Sequence, residues 1–209
     1  MRKHLILLIV VLLSCGTASA QFAVKTNFLY DATTTPNLGA ELGVGKKHTI
    51  QLFYGLNPWS YTSTSHPARL ADGSKTHIRQ AKHWLLMPEF RWWPCSKFNG
   101  HFFGVHAMGG EFNAQNVDLP LPGGFFSGED IAANAHDKRY EGKYLGAGFT
   151  YGYQWILGKH WNLEAEVGVG YDHVWYKKFN CGQCGSFEDK AETNYVGLTK
   201  LGLSLLYIF

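Results

Sequence analysis

Apolar side chains fall at every second position through most of the chain beyond residue 23, the period of a strand whose two faces meet different surroundings. Val24, Thr26, Phe28 and Tyr30 alternate with Lys25, Asn27 and Leu29. Leu38, Ala40, Leu42 and Val44 alternate with Gly39, Glu41 and Gly43, and Ile50, Leu52, Tyr54 and Leu56 follow. Trp84, Leu86, Phe90 and Trp92 oppose Glu89 and Arg91. "GHFFGVHAMGG" (100–110) is a less regular strand. Leu145, Ala147, Phe149, Tyr151, Tyr153 and Trp155 share one face, as do Trp161, Leu163, Ala165, Val167, Val169 and Tyr171. A last strand from about Tyr195 to Phe209 places Leu201, Leu203, Leu205, Tyr207 and Phe209 together. The pattern predicts eight strands.

The connections alternate in length. "GKKH" (45–48), "PCSKFNG" (94–100) and "LGKH" (157–160) are short, whereas 61–80, 113–139 and 177–193 are long. In the long series only "DATTTP" (31–36) is brief. Short turns at one end and long loops at the other are the pattern of an outer-membrane barrel whose long loops face the exterior. No linker or low-complexity tract divides residues 21–209, so one domain is expected.

A soluble periplasmic barrel of lipocalin type would also alternate, with its apolar face inward and a ligand inside. The less apolar face separates the two readings. A water-facing surface carries many Lys and Glu, but here Gly39, Gly43, Gly146, Gly148, Gly152, Gly168 and Gly170 dominate. Glycine suits a crowded, narrow interior. The charges on that face, Lys25, Glu41, Glu89, Arg91, Glu164, Glu166 and Lys200, are of both signs and can pair inside a lumen. The other face carries Tyr30, Tyr54, Trp92, Tyr151, Trp155, Trp161 and Tyr171, many near strand ends, where rings anchor at a lipid boundary. The expectation is an all-β, eight-stranded antiparallel transmembrane barrel of the outer membrane, monomeric, with lipid against its apolar face. Tyr207 and Phe209 then form the terminal signal that barrel-assembly machinery reads.

Composition agrees: 24 glycines, 15% aromatic and 17% charged residues favour closely packed strands. The start is different. "MRKHLILLIVVLLSCGTASA" joins a basic head, an apolar run and Ala18-Ser19-Ala20, the anatomy of a secretory signal. Cleavage after Ala20 is expected. A lipoprotein reading with Cys15 acylated fits less well, because a good Ala-x-Ala site lies downstream. Without Arg2 and Lys3 there remain 17 basic and 16 acidic residues, which gives no sign of a nucleic-acid surface.

Four stretches carry a resemblance: "KTNFLYDATTTPNLGAELGVG", "EFRWWPCSKFNGHFFGVHAMGGEFN", "RYEGKYLGAGFTYGYQWILGKHWNLEAEVGVGY" and "GLTKLGLSLLYIF". The chain resembles, over essentially all of 21–209, the outer-membrane family catalogued as domain of unknown function 3575. That resemblance implies an outer-membrane β-barrel of Bacteroidota type, sometimes encoded near surface-fimbria genes. A cell-surface or fimbrial protein partner is the expectation it brings. It transfers no catalytic residue.

Local motifs change little. Cys181-Gly-Gln-Cys184 lies on a long loop and reads as a structural disulfide in a secreted chain, leaving Cys95 unpaired. Zinc would need two further ligands and His173 alone is insufficient, while a thioredoxin-type role would need a βαβ setting. His66, His77 and His136 fall on long loops and His106 inside a strand. No metal, cofactor or catalytic residue is assigned. The alternative is a membrane-embedded lipid-modifying hydrolase, for which Ser60, His83, Ser127, Asp172 and His173 are the ingredients, with no spacing that selects a triad. The expected role is structural, surface-binding or surface-assembly, with loops 61–80, 113–139 and 177–193 as the contact surface.

Overall fold

In the computed structural model, which describes residues 21–62, 68–69, 75–76, 78–116, 138–180 and 187–209, the alternating segments become a closed ring of antiparallel strands. In chain order the elements are β1 (Phe22–Asn27), α1 (Phe28–Ala32), β2 (Asn37–Val44), β3 (His48–Asn57), β4 (Ser60–Thr62), β5 (Ala68–Arg69) and β6 (Lys75–Thr76). They continue with β7 (Ile78–Trp92), β8 (Gly100–Gln115), β9 (Lys138–Ile156), β10 (Trp161–Asn180) and β11 (Phe187–Ile208). Eight of them form the ring: β1, β2, β3, β7, β8, β9, β10 and β11, each hydrogen-bonded on both sides. The seam is β1 against β11, with Val24 opposite Tyr207 and Thr26 opposite Leu205. The other closing pair is β3 against β7, with Leu52 opposite Pro88. β4 adds to β7 beyond the end of β3, and β5 pairs only with β6.

Antiparallel order puts the β2–β3, β7–β8 and β9–β10 turns at one end of the ring and the longer connections at the other. Gly45 begins the first short turn at φ 65°, a left-handed conformation that glycine adopts without steric cost. Phe98, in the second, has φ 59° and is nevertheless buried, its carbonyl accepting from Asn162 Nδ2 at 2.7 Å. A non-glycine residue there costs about 1 kcal/mol or more, so packing and that hydrogen bond must hold it.

Two expectations need correction. β1 ends at Asn27, and Phe28–Ala32 is a short helix. The Asn27 side chain accepts from the Leu29 amide at 3.0 Å, an N-cap that competes with continued strand pairing. Tyr30 therefore leaves the outer face and packs over Phe53, ring centres 5.3 Å apart. Regular strand also runs well into the expected long loops. β8 reaches Gln115, β9 starts at Lys138, β10 reaches Asn180 and β11 starts at Phe187. Their outward positions are mostly charged or polar, while Tyr140, Tyr176 and Val174 pack inside with Phe112 and Ala191, so the outward apolar period that marks the lower strands is missing. Ladder pairing and cross-strand charges such as Lys138–Glu188, at 2.9 Å, accompany them instead.

The interior is inverted relative to a water-soluble domain. Among the described residues 22 buried positions are polar or charged and 12 are apolar, while 33 large apolar side chains are exposed. The interior is layered. Ala23, Phe98 and Leu206 close the turn end, and Trp93 packs against Phe102 at a tilt of 40° with ring centres 4.8 Å apart. Charged side chains fill the middle. Phe53, Leu85, Met87 and Met108, with Tyr30 and Tyr144 against them, form the layer above.

Candidate functional site: a charge cluster inside the ring

Alternation decides which side chains reach the interior. In β7, Leu85, Met87, Glu89 and Arg91 point inward, and Trp84, Leu86, Phe90 and Trp92 point outward. The same parity brings Lys25 in from β1, Glu41 from β2, Glu164 and Glu166 from β10, and Lys200 from β11. The structure brings all seven charged residues named from the sequence into one connected cluster.

Arg91 is its hub. Its Nε donates to Glu89 Oε2 at 3.0 Å and its Nη2 to Glu166 Oε2 at 2.7 Å. Its Nη1 donates to Glu41 Oε2 at 3.0 Å and to Glu164 Oε2 at 2.9 Å. The guanidinium lies over the Phe102 ring, 4.2 Å from its centre. Five donors in a planar fork let one side chain bridge four carboxylates, one more than the three donors of a lysine could serve. Lys25 completes one side by donating to Glu164 Oε1 at 2.5 Å. Lys200 completes the other, with Glu89 Oε2 at 2.5 Å and Glu166 Oε2 at 2.9 Å. Three cations face four carboxylates, and all seven side chains are at most 5% exposed.

Small residues make room for these stems. A Cβ added to Gly39 would lie 2.7 Å from Lys25 Cγ, and one on Gly202 would lie 2.7 Å from Glu166 Cγ. Uncharged or weakly basic side chains finish the set, and of these only His106 is singled out in the sequence. Thr49 donates to Glu41 Oε1 at 2.6 Å and itself accepts from Trp93 Nε1 at 3.0 Å. Gln154 donates to Glu164 Oε2 at 3.1 Å. His106 sits between the hydroxyls of Thr150 and Thr199, at 2.8 and 3.0 Å. Strand parity carried the signal for Thr49 and Gln154, since each alternates with outward apolar neighbours. Trp93 gave no such signal because it lies just past the end of β7. Glu89 Oε1 and the Gln51 amide are buried without a hydrogen-bond partner among the described residues.

Chemically the cluster is a brace. Its carboxylates are held by cations, and it links β1, β2, β7, β10 and β11 across the interior. Removing one partner from such a set leaves a desolvated charge and costs about 3–5 kcal/mol.

Tyr207 and Phe209 lie at the seam. Tyr207 meets Trp161 edge-on at 5.1 Å, and the Phe209 amide donates to the Phe22 carbonyl at 2.9 Å. Phe209 is 69% exposed and outward, its ring 4.9 Å from that of Tyr207 and 5.7 Å from that of Phe22. The hydrolase ingredients do not converge among the described residues. Asp172 is buried toward the interior, whereas the next residue, His173, faces out toward Asn194 Oδ1 at 2.7 Å. His83 contacts the Ala81 carbonyl at 2.8 Å, and Ser60 is exposed. Cys181, Cys184, Ser127, His66, His77, His136 and the segment 1–20 lie outside the described residues. Cys95 is an exposed free thiol.

The chain belongs to the family described as "Protein of unknown function (DUF3575)", whose family model matches residues 5–209. Among curated proteins none matches the chain.

Proposed function

We propose that the protein is an outer-membrane β-barrel of eight strands with a filled lumen, serving a structural or surface-binding role through its long-loop end. The inverted side-chain distribution is the observation that carries this reading. Leu38, Ile50, Leu52, Phe90, Val105, Leu145, Phe149, Val169 and Leu201 are each about half exposed or more on the outer face, and the interior holds ions. Such a surface far exceeds the apolar patches of soluble monomers, and lipid is the solvent that matches it. A lipocalin-like barrel would need the opposite arrangement. Trp84 and Trp92 bracket the apolar run on β7, eight residues apart. That separation is roughly 26 Å of strand, or about 20 Å along the axis at a tilt near 40°.

In this reading the chain crosses as a barrel after a secretory signal is removed, and Phe209 contributes to recognition by assembly machinery. The loops at 61–80, 113–139 and 177–193 face the exterior and meet a cell-surface partner, a fimbrial protein being the kind the family resemblance suggests. The braced interior favours support or binding over turnover. Fractionation of cells expressing the full chain tests the reading. Folded protein should stay in the outer-membrane pellet after a urea wash and should migrate faster on gels before boiling than after. Folded protein recovered from the soluble periplasm would overturn it.

A further inference from the structure

Where the apolar outer face ends, two rows of outward side chains run side by side across the ring. Register sets the first row: Leu56 opposite Trp84, Trp84 opposite Glu111, Glu111 opposite Lys143, Lys143 opposite Trp175, and Trp175 opposite Glu192. Two residues further along each strand the second row reads Lys82, Asn113, Glu141, Lys177 and Lys190. A groove of about 700 Å³ is lined by both rows, from Leu56 on β3 to Lys190 on β11.

Its chemistry is sorted by height. On the side of the turns, the next outward positions are Leu86, Gly109, Leu145 and His173, and beyond them come exposed Val105, Phe149 and Tyr171. At the first row, Trp84 Nε1 donates to Glu111 Oε2 at 3.1 Å, and Lys143 Nζ lies 5.6 Å from the centre of the Trp175 ring. Above them the cations collect. Lys177 and Lys190 stand directly opposite each other, a like-charge pairing that is destabilising without a counterion. Glu141 is engaged by Asn113 Nδ2 at 2.8 Å and by Arg139 at 2.9 Å, while Glu188 and Glu192, which flank Lys190 on β11, lie against Lys138 at 2.9 Å and His173 at 3.5 Å. No ion pair joins Lys82, Lys177 or Lys190 to another described residue. Four lysines and two glutamates line the groove, and with Glu192 at the end of the first row the two rows carry a formal charge of +1.

We propose that this groove binds the phosphorylated headgroup of a membrane lipid, whose acyl chains lie along the apolar face below. The assignment rests on the membrane reading above. Tryptophans at the edge of an apolar band mark the depth of the lipid–water boundary, and lysines a few ångströms beyond stand at headgroup level. A phosphate there supplies the missing counterion for Lys177 and Lys190, and the indoles give the headgroup a flat platform. Each lysine near a charged bilayer surface contributes about a fivefold preference for the anionic lipid.

The test uses the folded full-length protein in bilayer discs of phosphatidylcholine, with and without phosphatidic acid, and counts retained lipids by native mass spectrometry. The protein should retain phosphatidic acid over phosphatidylcholine. Lys82→Gln/Lys177→Gln/Lys190→Gln should lose that preference by tenfold or more, while Lys46→Gln/Lys159→Gln at the turn end should keep it. All these side chains are on the surface, and gel mobility before boiling verifies that each variant is folded. Equal retention of the two lipids, an unchanged triple variant, or an equal loss in the turn-end variant overturns the proposal. Displacement of the lipid by inorganic phosphate alone would mark a free-anion site and also overturns it. Protein that fails to enter discs at all defeats the membrane reading itself; insertion without headgroup preference defeats only this inference.

Discussion

Arg91 on β7 and Glu164 on β10 meet across the interior, Nη1 to Oε2 at 2.9 Å, although two other strands separate them around the ring wall. Neither side chain is exposed to solvent. A contact of this kind tells whether the ring has closed, because open sheets would hold the two residues apart.

Arg91→Ala should therefore lower stability by about 3–5 kcal/mol, since four buried carboxylates would share two lysines. Lys159→Ala, on the exposed short turn, should change it by less than about 0.5 kcal/mol. Urea unfolding midpoints of the two variants check this, and equal midpoints would refute the bracing role. Arg91→Lys should fall between them, because one ammonium cannot reproduce the guanidinium fork.

Gly152 faces the Phe102 ring closely enough that an added Cβ would overlap it. Phe102 is fully buried between Trp93 and Arg91 and has nowhere to move. Gly152→Ala should cost about 1–3 kcal/mol by overpacking, and Phe102→Leu in the same chain should recover part of it. A Gly152→Ala variant with unchanged unfolding would show that the ring shifts freely.

Reconstituted into planar bilayers, the protein should show no stepwise conductance. The charge cluster and the Trp93–Phe102 pair occupy the interior, as expected for a narrow eight-stranded ring. Reproducible open-channel steps in the intact protein would contradict a filled interior.

Deleting Phe209 should impair assembly more than it lowers the stability of the refolded protein. The residue contributes one backbone hydrogen bond and ring contacts to Phe22 and Tyr207 at the seam, and is largely exposed. Comparing membrane yield in cells with unfolding midpoints in detergent separates the two effects. Normal yield from cells would remove the recognition role.

Cys181 and Cys184, from the sequence motif alone, should form a bridge whose loss alters loop protease sensitivity but not assembly. Closing so short a loop removes little chain entropy, so a small global effect is expected. Alkylation of both thiols without prior reduction, seen by mass spectrometry, would refute the bridge.

Side-chain period is a local property, and it determined the strands and their two faces. Ile50, Leu52 and Tyr54 had to lie on one side and Thr49, Gln51 and Phe53 on the other, whatever the strand was paired with. The inward charges were legible for the same reason. What they bind was not, because pairing distances across the interior depend on closure and register, which no single strand encodes. Arg91 reaches Glu164 only after β7, β8, β9 and β10 have stacked in a particular stagger. The helix at Phe28–Ala32 was hidden by an apolar alternation that a side-chain cap at Asn27 overrides. The outer halves of β9, β10 and β11 were hidden because their outward positions are mostly charged or polar, so the outward apolar period stops even though Tyr140, Tyr176 and Val174 still pack inside. The lysine groove arises last, since Lys177 and Lys190 become neighbours only when β10 and β11 pair in register.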